Sequence, residues 1–306
     1  MLPTARRIRF PPPVAPGDVV AVVAPSSPFE AAPAWVGLGW LASRYRVRFT
    51  RGLFTRTGYL AGDDERRQSE LVSAITDPDV RVVLAARGGY GLSRIVHRLP
   101  WDRFSARPRW IVGFSDVTAL HVEAARLGVA SIHGPHLTSL GRADARTRAD
   151  LVDVLESPER ARVYGDLDVL VRGRAAGPAF GGNLTLLHAC AAAGRLVVPA
   201  GAVLVLEDVT ERPYRIDRML ATLAAGGYLS SLAAVALGGF TQCEPGADGV
   251  TVEDVLRDAL TPLGVPVVSG LRVGHGAENR SLVLGAEAVV DATAERGVVS
   301  VGAALC

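Results

Sequence analysis

Residues 18–28 read DVVAVVAPSSP, a run of β-branched and small apolar residues closed by Pro-Ser-Ser-Pro. A strand with one wet face alternates polar and apolar side chains. A run without alternation expects burial on both faces, as in a parallel sheet covered by helices. The pattern recurs at 80–86 (VRVVLAA), which ends in Arg87-Gly88-Gly89-Tyr90-Gly91, and at 110–114 (WIVGF), which ends in Ser115-Asp116. A fourth run, 130–132, ends in His133-Gly134-Pro135-His136. Helical patterns occupy about 65–75, 92–99 and 117–127. Strand, turn and helix in this order predict βαβ units and a parallel sheet. Arg44, Arg46, Arg48 and Arg51 alternate with Tyr45, Val47 and Phe49, which reads as the wet face of a further strand.

Beyond this half lies a charged stretch, 141–162, with a helix in its middle. The apolar runs that follow, at 169–171, 203–206, 233–237, 266–269 and 281–290, are in several cases separated only by short turns, as in a mixed or barrel-like sheet. A chain of 306 residues fits two domains at about 150 residues each. The boundary is placed near Ser157, giving an N-terminal α/β domain at 1–156 and a C-terminal domain at 157–306.

Composition narrows the chemistry. All 33 basic residues counted as Lys or Arg are Arg, against 31 acidic ones. Without lysine there is no Walker-type phosphate lysine, no Schiff base to pyridoxal phosphate and no Ser–Lys nucleophile pair. A formal charge of +2 spread among carboxylates argues against nucleic acid as partner. Cys190, Cys243 and Cys306 are odd in number and form no CxxC, so a disulfide framework is not expected and a reducing compartment is. The N-terminus shows no apolar signal region. The most apolar stretch, 196–206, contains Pro199 and Gly201 and is shorter than the ~18 residues a membrane span needs. The composition thus reads as a cytoplasmic protein.

In an open parallel sheet, ligands bind outside the carboxyl ends of the strands. That edge gathers Ser26, Gly88–Gly91, Ser115, Asp116 and His133. Ser115 follows a buried strand and opens a helix, the logic of a nucleophile elbow with backbone N–H groups nearby, although no glycine follows the serine. A helix cap formed by Ser115 or Asp116 is the plain alternative. Gly88–Gly91 is a flexible turn that lets N–H groups approach an oxyanion or a phosphate, or an ordinary βα turn; it is not GxGxxG. Gly181-Gly182-Asn183, before a helical stretch, carries the same two readings.

Glu207 and Asp208 end a buried strand, where a charge must reach a cleft or a partner. His275 stands between Gly274 and Gly276, in a loop that lets an imidazole project. His133 and His136 lack a clustered third ligand, so no metal is expected. His121, His188 and Cys190 read as packing or surface residues. Ser115, His275 and Glu207 thus supply the three groups a serine hydrolase needs: a hydroxyl, a base to take its proton, and a carboxylate to orient that base.

Six motifs in order resemble the LD-carboxypeptidase family of serine peptidases: RGGYG at 87–91, IVGFSD at 111–116, HGP at 133–135, GGNL at 181–184, VLEDV at 205–209 and GHGAxNR at 274–280. The resemblance spans nearly the whole chain. It implies an N-terminal α/β domain with a Rossmann-like parallel sheet and a C-terminal mixed α/β domain with a barrel-like sheet. It further implies a catalytic triad of Ser115, Glu207 and His275, and an oxyanion hole formed by the backbone N–H groups of Gly89 and Asp116. Gly88, Tyr90, His133 and Asn183 are candidate substrate contacts. The implied reaction releases terminal D-alanine from cytoplasmic murein tetrapeptides during cell-wall recycling, by a homodimer that needs no cofactor. A related branch resembles microcin immunity peptidases, which cleave peptidyl- or aminoacyl-nucleotides. A non-catalytic α/β module that binds a nucleotide or sugar phosphate is the alternative from another class.

Overall fold

The computed structural model describes residues 8–302, so Cys306 and the start of the N-terminal segment lie outside the described residues. The chain divides into two compact units. One comprises Ile8–Pro158 with Arg280–Leu282, and the other comprises Glu159–Asn279 with 283–302.

In the first unit, strands β1 (Val19–Val23), β2 (Arg46–Arg48), β3 (Val80–Ala85), β4 (Trp110–Gly113) and β5 (Ser131–His133) pair in parallel in the order 5-4-3-1-2. Every residue of β1, β4 and β5 is buried, as the unbroken apolar runs predict. β2 is exposed at Arg46 and Arg48, the wet face read from the arginine alternation. In chain order from the other edge this is 2-1-3-4-5, which places the topological switch point between β1 and β3. The turns after those strands carry Ser26-Ser27 and Gly88-Gly89, and the Ser27 N–H donates to the Gly88 carbonyl at 3.2 Å.

Helices α1 (Ala31–Ala42), α2 (Asp64–Thr76), α3 (Leu92–Ile95), α4 (Trp101–Ala106), α5 (Thr118–Arg126), α6 (Leu137–Arg142) and α7 (Ala145–Glu156) complete this unit. Asp63 caps α2 by accepting from the Arg66 N–H at 2.8 Å, and Asp144 caps α7 through Thr147 at the same distance. The sequence patterns do not reveal α1, because AAPAWVGLGWLA has no polar face and contains Pro33, Gly37 and Gly39. Two glycines at the contact with α6 have a packing role. A Cβ on Gly37 would sit 2.5 Å from the Leu137 carbonyl oxygen, and one on Gly141 would sit 1.8 Å from that of Pro33. The backbones of α1 and α6 therefore touch.

The second unit is a closed barrel with strand order β10-β6-β13-β12-β7-β8-β9. Its strands are β6 (Arg162–Val171), β7 (Gly173–Asn183), β8 (Val203–Val209), β9 (Ala234–Thr241), β10 (Val267–Ser269), β12 (Glu287–Ala292) and β13 (Arg296–Val301); β11 (Leu282–Leu284) instead lies at the edge of the parallel sheet. β12 and β13 alternate buried positions with half-buried or exposed ones, the period-two pattern of a barrel wall. Helices α8 (Leu184–Ala192), α9 (Pro213–Ala225) and α10 (Val252–Leu260) belong to this unit, and α10 opens with a capping box between Thr251 and Asp254.

Two expectations need correction. The apolar run at 281–290 is two strands, broken at Gly285 with φ 89°. Gly181-Gly182-Asn183 is the end of β7 and not a turn: Gly181 and Gly182 pair with Val205 and Leu206 of β8. A Cβ on Gly181 would lie 2.0 Å from the Val205 carbonyl oxygen, so glycine serves close strand approach there.

Gly141→Ala is expected to cost about 1–3 kcal/mol, since the added methyl must push α1 and α6 apart. A denaturant titration would register it as a lowered midpoint.

Candidate active site

The parallel-sheet unit places Ser115 at the bend after β4. Its φ is 59°, a left-handed conformation that costs a non-glycine residue about 1–3 kcal/mol and persists only where neighbours enforce it. Those neighbours are identifiable. The His136 ring stacks on Phe114 with centroids 4.2 Å apart, and its Nε2 lies 2.9 Å from the Phe114 carbonyl oxygen. His121 Nε2 holds the Gly113 carbonyl at 2.9 Å while Nδ1 pairs with Ser131 Oγ; burial keeps this imidazole neutral, its pKa pushed down to about 3. His133 is fully buried beside Phe114. His121 and His136 thus brace the bend through the carbonyls of Gly113 and Phe114.

Gly88 faces the serine. A Cβ there would lie 2.8 Å from Ser115 Cβ and 3.0 Å from Oγ, so only glycine lets this backbone come so near. Gly89 has φ 102°, and a Cβ on it would meet Ser27 Oγ at 2.4 Å. The Tyr90 N–H is taken by Ser27 Oγ at 3.1 Å. Among the described residues, the Gly89 and Asp116 N–H groups have no hydrogen-bond acceptor.

Neither Ser115 nor Asp116 caps α5. The buried Asp116 carboxylate instead accepts from Ser26 Oγ at 2.6 Å and from the Leu92 N–H at 2.9 Å, tying three strand-end turns together. Burial raises its pKa to about 6 against those two hydrogen bonds. Arg67, fully buried, donates to the carbonyls of Pro25 and Gly91 and pairs with Asp64. Sequence reasoning missed Ser27 and Arg67. The only available signal for Arg67 is an arginine on the otherwise apolar face of α2.

In the barrel unit, Glu207 near the end of β8 is fully buried, and its Oε2 lies 2.6 Å from His275 Nδ1. The imidazole is only 19% exposed. Glu207 sits opposite a bulge: Leu206 pairs with Leu237 and Asp208 with Phe240, so Gly238 and Gly239 together face the single residue Glu207. A Cβ on Gly238 would lie 2.8 Å from the Val273 carbonyl oxygen, and that oxygen accepts from the Gly239 N–H at 3.1 Å. The bulge thereby seats the histidine loop. Gly274, at φ 98°, would bring a Cβ within 2.5 Å of Glu207 Oε2. Asn279 Oδ1 accepts from the Gly274 N–H at 3.0 Å and closes the loop. Asn279 belongs to the GHGAxNR motif, whereas nothing in the sequence singles out the Gly238-Gly239 pair.

The adjacent carboxylate has a different task. Side chains alternate along a strand, so Asp208 points away from Glu207. It accepts from Asn183 Nδ2, the Thr185 N–H and the Thr185 hydroxyl, each at 2.9 Å. Asn183 also caps α8 by accepting from the Leu186 N–H. Burial raises the Asp208 pKa against these bonds. Ser115, Gly88–Tyr90, Asp116 and His133 therefore lie in one unit, and Asn183, Glu207 and His275 in the other.

Residues 20–134 match the model of the LD-carboxypeptidase N-terminal domain, and residues 176–290 match that of the LD-carboxypeptidase C-terminal domain. A putative carboxypeptidase of Synechocystis is 40% identical over 286 residues, covering 92% of this chain and 94% of the relative. The crystal structure of muramoyltetrapeptide carboxypeptidase from Oxalobacter formigenes superposes with a TM-score of 0.83 at 30% identity, covering 93% of this chain and 98% of that one. The microcin C7 self-immunity protein superposes with a TM-score of 0.85 at 20% identity, covering 95% and 98%, a likeness of fold alone. These matches define a hydrolase of the peptidase class. The chain belongs to the LD-carboxypeptidase family.

Gly274→Ala is expected to push His275 off Glu207, and NMR is expected to show a low-field Nδ1 proton resonance in the unaltered chain and none in the variant. Asp116, with its pKa raised from 3.8 to about 6, holds its proton more tightly folded than unfolded. Its contribution to stability is therefore full below pH ~4 and is lost as pH rises to about 6, by roughly 3 kcal/mol at 1.36 kcal/mol per pH unit. Comparing unfolding free energies of the unaltered chain and Asp116→Asn across that range would show this share of the slope disappear.

Proposed function

We propose that the chain is a serine-type LD-carboxypeptidase that releases the terminal D-alanine of murein tetrapeptides. Ser115 is the nucleophile, His275 the general base and Glu207 the orienting carboxylate. The observation that carries this reading is the 2.6 Å contact between buried Glu207 and His275 Nδ1. A carboxylate accepting from Nδ1–H fixes the tautomer in which Nε2 is the base, and it stabilises the imidazolium that proton transfer creates. The strained Ser115 bend and the unengaged Gly89 and Asp116 N–H groups support the other half of the assignment.

In this mechanism His275 Nε2 takes the Ser115 proton as Oγ attacks the carbonyl of the bond to D-alanine. The tetrahedral oxyanion is met by the Gly89 and Asp116 N–H groups. The imidazolium gives its proton to the departing amine, leaving an acyl-enzyme and free D-alanine. Water, deprotonated by His275, then attacks the ester and restores the serine. The substrate reading draws on the solved relative named a muramoyltetrapeptide carboxypeptidase. We further propose that the reaction serves cytoplasmic cell-wall recycling and that the working form is a homodimer. Among the described residues, no helix is long and apolar enough to cross a membrane.

Mass spectrometry of a murein tetrapeptide incubated with the chain is expected to give tripeptide plus D-alanine, and Ser115→Ala is expected to give neither. Glu207→Gln should lower kcat by about 10³–10⁴-fold, as loss of the correct histidine tautomer does elsewhere. Normal turnover by Ser115→Ala, or cleavage of an aminoacyl-nucleotide in place of the tetrapeptide, would overturn the assignment.

A further inference from the structure

Two tyrosines stand beside the glycine turn that faces Ser115. Tyr90 directly follows Gly89 and is 45% exposed; Tyr59 is 66% exposed. Their rings lie 5.9 Å apart at 50°. Large aromatic rings left in water side by side are uncommon on a folded surface without a function, because each forgoes the burial that its area would otherwise contribute.

The backbone beneath them is firmly held. Tyr59 lies in a tight turn closed by reciprocal hydrogen bonds, Thr57 N–H to Leu60 O at 2.9 Å and Leu60 N–H to Thr57 O at 3.1 Å, with Gly58 at φ 60°. Beyond Leu60, Ala61 donates to the Ser26 carbonyl at 2.9 Å. Leu60 is buried under Gly91, where a Cβ would lie 3.0 Å from Leu60 Cδ2. The Gly91 carbonyl in turn accepts from buried Arg67 at 2.9 Å. Both tyrosines are thus mounted on the segments that form the serine's surroundings, so their exposure is built into the fold.

We infer that Tyr59 and Tyr90 form a stacking platform for the sugar ring of a muramoyl-linked tetrapeptide. This rests on the function proposed above. In such a substrate the sugar is joined to the end of the peptide opposite D-alanine, three residues from the carbonyl that Ser115 attacks. At 3.3–3.6 Å per extended residue, that separation is about 10 Å. A Cα step of about 3.8 Å from Gly89 to Tyr90, the length of a tyrosine side chain and the 5.9 Å to the Tyr59 ring together give the pair a reach that covers this separation. A pyranose presents axial C–H bonds to an aromatic face and hydroxyls around its rim. Tyrosine offers a matching apolar face with a polar tip.

Steady-state kinetics with muramoyl-tetrapeptide and with the free tetrapeptide test this. Tyr59→Ala is expected to raise KM for the muramoyl substrate so that kcat/KM falls about ten-fold more than for the free peptide, which one good ring contact supplies. Tyr59→Phe, which keeps the ring, is expected to restore most of the difference. Equal losses on both substrates, or no loss on the muramoyl one, would overturn the platform while leaving the peptidase assignment intact. Failure of the unaltered chain to cleave either substrate would remove the functional reading and the platform with it.

Discussion

A carboxylate with no exposed surface is costly unless a partner offsets its lost hydration, and in the barrel the His275 imidazole stands 2.6 Å from the buried Glu207. The surrounding backbone is shaped to make the contact possible. The barrel wall must bulge at Gly238-Gly239 to admit the loop, Gly274 must lack a side chain to come down onto Glu207, and Asn279 must grip the Gly274 N–H to keep the loop closed. A rigid closed sheet suits this work. A carboxylate near the end of a paired strand cannot wander, so the imidazole it holds is fixed in both tautomer and aim.

The parallel sheet solves a different problem, holding a serine in a conformation that its own backbone disfavours. The strain at Ser115 is local, but what enforces it is distributed over the ends of four strands. Asp116 links the turns after β1, β3 and β4, Arg67 clamps those after β1 and β3, and His121 and His136 hold the carbonyls of Gly113 and Phe114. The raised pKa of Asp116 shows what this costs: the carboxylate is retained where water cannot reach it, because its hydrogen bonds fix turns that must not shift.

The buried strands were legible because a short apolar run without alternation, closed by turn residues, fits little besides a strand covered on both faces, and those turn residues marked the functional edge. Glu207 and His275 were legible as chemistry, a charge ending a core strand and an imidazole between glycines. What escaped was whatever depends on backbone approach. The end of β7 reads as a glycine turn because Gly181, like Gly177 earlier in the strand, serves closeness to β8 and its flank and not strand propensity. Helix α1 escaped for a related reason, since Gly37 serves the contact with α6 and its apolar residues cover both faces. Asn183 illustrates a different loss. Its side chain donates to Asp208 and accepts from the Leu186 N–H, bonds across the end of β7 that no local sequence pattern announces.

The lysine-free composition acquires a structural sense from the same contacts. Arg67 and Arg109 are buried, and each spends its guanidinium on backbone carbonyls: Pro25 and Gly91 for the first, Ile75, Asp77 and Arg107 for the second. Arg66 likewise reaches the carbonyls of Ala24 and Ala61. A planar fork with five donors can bridge two or three loops at fixed angles, and its charge is more weakly hydrated than an ammonium and so less expensive to bury. A lysine at Arg67 would offer one compact donor head in place of that fork and would be driven toward its neutral form by the same burial. The turns around the serine then lose the brace between Pro25 and Gly91, at the end of the turn whose Gly88 faces the serine, which makes arginine at this position a condition of the site's shape as much as of its charge.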